Sequence, residues 1–460
     1  MNMNDTLRYS DLGLPEDILR RKLYGDFEGA VALIDRKLKQ ELPESLRQGL
    51  MAQRELILRL PADYPYTEAQ ALAKIQEHIP DFTAAELRER IDKGQIDWIY
   101  VNGEPRLVRS FYGTLCKTYK DFSARLTGEE GKNHQNNGAK REAMLNRAME
   151  KMKKSGCMTV YSRCRAQIRI RDEAFRPGET VRVHLPIPAA CLQQSDIRLL
   201  SFSHIPTHVA AEDAPQRTVY WERKLTENEP FWVEYSFVHR APYTDTSRVL
   251  PDAVQPDFDL DELHPHIVFT PYVRMLTAEL TRGMDSPMEK AKAIYDFVTL
   301  NVRYAYMRAY FGLENIAENC ARNLRGDCGV QALLFITLCR CAGIPARWQS
   351  VLIAEPEDMG CHDWAMFYVA PQGWMFADCS FGGGAHRAGN EERRQFYFGN
   401  LDPYRMVANG AFQAPFDPPK THWRADPYDS QTGEIEYADR GLREFEMQRE
   451  MTMLEQKELD

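Results

Sequence analysis

Hydrophobic and polar positions change rhythm several times along the chain. Residues 26–53 (DFEGAVALIDRKLKQELPESLRQGLMAQ) carry apolar side chains at helical spacing, interrupted at Pro43. Two further helices are expected over Thr67 to His78 and Thr83 to Lys93, each opened by a threonine suited to N-capping. Asp97 to Val101 and Arg106 to Arg109 flank Asn102-Gly103, a hairpin turn pair, so residues 1–127 read as a helical region that ends in a winged-helix-like unit. Residues 128–142 (GEEGKNHQNNGAKRE) lack apolar anchors and predict an exposed loop. Residues 140–154 have an amphipathic helical rhythm, which makes 128–156 a polar linker with a helix.

From 157 the period becomes two. CMTVYSRCRAQIRI, TVRVHLPIP, IRLLSFS, TVYWERKL and FWVEYSFVHR predict at least five strands, a β-sandwich-like domain over 157–247. A proline-rich connector, Pro242 to Pro256, leads to an α+β unit over 257–424. There, helix Pro287 to Val302 should lean Ala291, Ile294, Tyr295 and Val298 on a second helix that is apolar all round and ends at Gly343. Trp348–Ala354, His362–Val369 and Trp374–Ser380 read as strands. Residues 381–389 (FGGGAHRAG) predict a flexible loop. The polar tail, 425–460, is expected to close on a charged helix, REFEMQREMTMLEQKEL.

Composition narrows the class. With 460 residues, 43% of them apolar and 11% aromatic, the chain can bury real cores. A net charge of −9 argues against general nucleic-acid binding, and Glu86, Glu89 and Asp92 offset the cations of the helix a winged unit would insert. No apolar run is long enough to span a bilayer. The start has neither a basic nor an apolar leader, and the ten cysteines are scattered, so a cytoplasmic location without membrane partners is expected. His184, His204, His208 and His239 have irregular spacing and no accompanying acid or thiol cluster. Pro265 denies His264 and His266 a helical i, i+4 pairing. No metal ligand set and no cofactor is expected.

The candidate chemistry lies in GDCGVQALLFITLCRCAGIPARW, residues 326–348. Asp327 is a good N-cap, so Cys328 falls in the first turn, where free N–H groups and the helix dipole favour a thiolate. His362 opens a strand, and the returning strand brings Asp378 back roughly level with it. A carboxylate beside the imidazole is what a general base needs. Asp363 should point to the other face of the strand, and His386 has no flanking strand, so Asp378 is preferred as partner and His362 as base.

G-D-C, the apolar helix, Arg340, Gly343 to Arg347 (GIPAR), H-x-W, G-W and Asp378 together resemble the transglutaminase-like superfamily. The match spans roughly 285–382, with 34 residues from Cys328 to His362 and 16 on to Asp378. Asp363 stands where many members carry a small residue, and Cys379-Ser380 follow Asp378 in place of the more usual D-P or D-x-T. The resemblance implies a papain-like core with Cys328 as nucleophile, His362 as base and Asp378 as orienting acid, and Tyr304 as a candidate oxyanion donor. Val181 to Pro188 is similar to the β-domain that precedes this core in some bacterial members. No EF-hand-like loop or paired CxxC motif points to the calcium-dependent or zinc-bearing branches. The expectation is a cysteine peptidase or amidase acting on a peptide or protein substrate through a thioester. Protein-glutamine transfer or deamidation, or a binding protein without turnover, are the alternatives, and the oligomeric state is left open.

Overall fold

The computed structural model describes residues 6–356 and 359–459, and of these the side chains of all but 129–136. The N-terminal part is helical over Glu16–Tyr24, Phe27–Lys37, Glu44–Asp63, Glu68–Gln76 and Ala84–Asp92. Pro43 separates the second helix from the third, and Thr67 and Thr83 each close a capping box, a device that contributes about 1 kcal/mol. Strands Trp98–Val101 and Glu104–Leu107 pair across Asn102 and Gly103, whose φ of 53° and 77° suit the tight hairpin turn.

Residues 128–142 are not a loop: one helix runs from Gly128 to Ser155. Its polar N-terminal half offers no hydrophobic stripe to a sequence reading. The other half docks Leu145, Ala148, Met149 and Met152 into the core.

Strands 157–170, 194–202, 231–242 and 447–459 form one four-stranded sheet and 180–186, 208–209, 218–224 and 434–436 a second. Their inner faces meet over Ile168, Val183, Trp221, Val233, Tyr235 and Ile435. The expected C-terminal helix is therefore a strand, Met447–Leu459, paired along almost its whole length with Cys157–Ile170. Its Met and Glu residues favour a helix locally. Met447, Met451 and Met453 nevertheless share one face at period two, and the unpaired edge of strand 157–170 supplies the hydrogen bonds that decide the matter.

The remaining unit is α+β. Five antiparallel strands lie in the order 398–399, 373–377, 359–369, 346–354 and 405–409. Helix Cys328–Cys341 covers one face, with Phe335 edge-on to Phe367 at 5.9 Å, and helix Pro287–Asn301 packs beside it. Trp364, Met366 and Val407 pack beneath the opposite face. The glycine stretch is helical too, over Cys379–Arg387. Its glycines serve close packing, since a Cβ on Gly382 would overlap the Tyr295 hydroxyl. One continuous hydrophobic core joins this unit to the N-terminal helices, from Leu7 and Ile57 through Phe111 to Leu334. Among the described residues no helix is long and apolar enough to cross a membrane.

Candidate active site

Helix Cys328–Cys341 begins where Asp327 accepts the Val330 N–H at 3.2 Å. The other demands on that carboxylate, Tyr310 Oη at 2.5 Å and the Met307 N–H at 3.3 Å, tie the helix start to the preceding loop. Cys328 is thus the first helical residue, with its own N–H free of the helix ladder. Its side chain opens onto a cleft of about 330 Å³.

The thiol donates its hydrogen bond to Asp363 Oδ2, at 3.2 Å. Alternation along strand Met359–Val369 does send His362 and Asp363 to opposite faces, but the face turned to the thiol is that of Asp363. The expected thiolate also meets opposition. Burial pushes the Cys328 thiol well above its usual range, and the Asp363 and Asp327 carboxyls push it further, against the helix dipole. Asp363 is itself raised by burial and by Asp429 and Asp327. The resting pair is therefore a protonated thiol against a carboxyl that resists ionisation.

His362 sits on the same strand, 3% exposed, its ring 4.5 Å from that of Phe381. Nε2 meets Asp378 Oδ2 at 2.7 Å. Asp378 N-caps helix Cys379–Arg387, so its Oδ1 accepts the Phe381 N–H at 2.9 Å. Behind it lies Arg405, wholly buried, with Nη1 2.9 Å from Oδ2 in a charge contact and the rest of the guanidinium bonded to Asp402. Burial alone would raise Asp378, but His362 and Arg405 outweigh it and hold the carboxyl at about 2. An ionised carboxylate only accepts, so the imidazole carries its proton on Nε2 and presents Nδ1 as a lone pair. Burial lowers the His362 pKa, partly offset by Asp378, so the ring is neutral at neutral pH.

Tyr304, 5% exposed, lines the Cys328 cleft and also a second cleft of about 600 Å³ that contains His362. Tyr306 and Cys361 are shared as well, so the two clefts meet at this wall. Burial raises the Tyr304 hydroxyl well above its usual range and keeps it a donor. Lys117 Nζ, from the N-terminal helical region, lies 4.2 Å over its ring, and Thr118 Oγ1 donates to its carbonyl at 2.8 Å.

Three contributors escape a sequence reading. Arg405 gives no local signal for its role behind Asp378. Gln431, from the expected tail, donates to Asp363 and to Asp429 Oδ2 at 2.8 Å, while Asp429 accepts from Ser350 Oγ at 2.6 Å. Lys117 lies more than 200 residues before Cys328. The one available hint was Asp363 itself, a carboxylate beside the histidine.

Residues 274–379 match the family model described as the transglutaminase-like superfamily. No curated protein matches the chain in sequence. Among solved structures, a candidate cysteine protease from Cytophaga hutchinsonii aligns with 65% of this chain and 91% of its own at 16% identity and a TM-score of 0.42. The periplasmic domain of TgpA from Pseudomonas aeruginosa aligns with 50% of this chain and 92% of its own at 14% identity and a TM-score of 0.27.

Proposed function

The chain carries a transglutaminase-like core at residues 274–379, and we propose that it is a thiol-dependent hydrolase that cleaves amide bonds in peptides through Cys328, His362 and Asp378. The observation that carries this reading is the Asp378-held imidazole, whose Nδ1 is left basic in a cleft that shares a wall with the cleft of a helix-start thiol.

In the structure Cys328 is hydrogen-bonded to Asp363, on the opposite face of the strand from His362. In this mechanism substrate binding therefore breaks that hydrogen bond and rearranges the helix start and strand until the thiol meets the imidazole. Nδ1 takes the thiol proton as sulfur attacks the carbonyl carbon, and Asp378 stabilises the imidazolium. The Cys328 N–H and the Tyr304 hydroxyl hold the oxyanion. The C–N bond then breaks, His362 gives its proton to the leaving amine, and a thioester remains. Water, deprotonated by the same imidazole, releases the acid. The cytoplasm is the proposed compartment, in keeping with ten cysteines that are all free thiols.

The test is incubation with a peptide library, with and without a primary amine, and weighing of the products. Cleavage that disappears in Cys328→Ala, with a thioester adduct trapped on the native protein, is expected. Amine incorporation without cleavage would replace hydrolysis by acyl transfer. An inert Cys328 under iodoacetamide and no turnover at all would leave a binding protein.

A further inference from the structure

The cleft on the His362 side has a charge of its own. Five cations line it, Lys117, Lys120, Arg141, Arg387 and Arg393, against the single carboxylate of Glu142. Two of the cations are satisfied within the protein: Arg141 grips Glu355 at 2.7 Å, and Arg393 meets Glu142 at 3.4 Å. Lys117, Lys120 and Arg387 have no carboxylate partner among the described residues. Lys117 rests on the Tyr304 and Tyr306 rings, at 4.2 and 5.0 Å, at the wall the two clefts share. Arg387 lies half-buried along the glycine face of helix Cys379–Arg387, where an added Cβ on Gly383 would come within 3.4 Å of Nη1. Burial already disfavours its charge. Cations without a carboxylate counter-ion, Lys117 and Lys120 exposed and Arg387 half-buried, lining one cavity in a protein of net charge −9, are what an anionic ligand would complete.

The chemistry assigns the position of that anion. His362 hands its proton to the departing amine, so the half of the substrate beside His362 is the amine half. From this geometry we propose that Lys117, Lys120 and Arg387 form a subsite for a carboxylate carried on the leaving-amine side of the scissile amide. The inference rests on the hydrolase reading given above. Two sources supply such a carboxylate, the free C-terminus of a short peptide and an Asp or Glu side chain just past the cleaved bond.

The experiment compares kcat/KM for matched peptides with Glu, Gln or Lys in the first two positions after the scissile bond, each with a free or an amidated C-terminus. An advantage of at least about tenfold for anionic over neutral peptides is expected, shrinking as salt rises. Dependence on the side chain or on the free terminus identifies the source. In Lys120→Gln and Arg387→Gln the anionic-to-neutral ratio should fall toward one, and Arg387→Lys should restore part of it. Cleavage with equal rates for all three side chains and both termini overturns the subsite and leaves the hydrolase standing. If no peptide is cleaved the hydrolase reading fails, and the subsite is then judged by anisotropy of labelled Glu and Gln peptides on Cys328→Ala, where equal affinities would sink it.

Discussion

Burial first and then the Asp363 carboxyl push the Cys328 thiol above its usual range. With its carboxyl 3.2 Å from sulfur, an Asp363→Asn variant removes an ionisable neighbour from a buried site. Iodoacetamide should then alkylate Cys328 several-fold faster at pH 7.5, and an unchanged rate would mean burial alone governs the thiol. Asp378→Asn acts differently, because the amide can donate to Nε2 and select the wrong tautomer. A fall of about ten-thousand-fold in kcat with the fold intact is expected. The pH dependence follows from the same groups. His362 has a lowered pKa, so the base role proposed for it would hold at neutral pH and fail only as pH drops below the free-histidine range. Asp378 sits at about 2 against its usual 3.8, so the stability it contributes is complete above 3.8 and vanishes as pH falls through about 2. Acid titration followed by circular dichroism reads this window. Arg405→Met would strand Asp378 and Asp402 as buried carboxylates, at about 3–5 kcal/mol by denaturant unfolding.

Elements position these residues through a few close contacts. Helix Cys379–Arg387 can lie against helix Pro287–Asn301 because Gly382 has no side chain to strike Tyr295, whose hydroxyl donates to the Arg394 carbonyl at 2.6 Å. Gly382→Ala should cost about 1–3 kcal/mol and disturb the N-cap that holds Asp378, seen as a lower melting temperature together with lower activity. Strand Met447–Leu459 is the opposite case, an element that completes a sheet remote in sequence. Deleting 447–459 bares the full edge of strand Cys157–Ile170, and a melting temperature lower by at least about 10 °C, with a tendency to aggregate, is expected.

At the scale of the whole molecule, parts far apart in the chain converge on one cleft. Residues 1–127 bring Lys117 to Tyr304 and share an unbroken core with the Cys328 helix, and Arg59 donates to the Arg424 carbonyl at 2.9 Å. A chain begun at residue 128 should therefore lose near-ultraviolet dichroism and become protease-sensitive instead of keeping a working core.

Local signals carried the helix caps, the Asn102-Gly103 hairpin and the strands of the β-domain, because each rests on residues a few places apart. Capping, alternation and turn chemistry are short-range, and they can be read from the chain alone. The strand at 447–459, the helix at 379–387, the buried Arg405 and the hydrogen bond from Cys328 to Asp363 depend on partners tens to hundreds of residues away. Which edge is left unpaired, which face of a strand meets a helix tip and whether burial outweighs a helix dipole are set when distant surfaces close on one another. Only the folded arrangement could answer them.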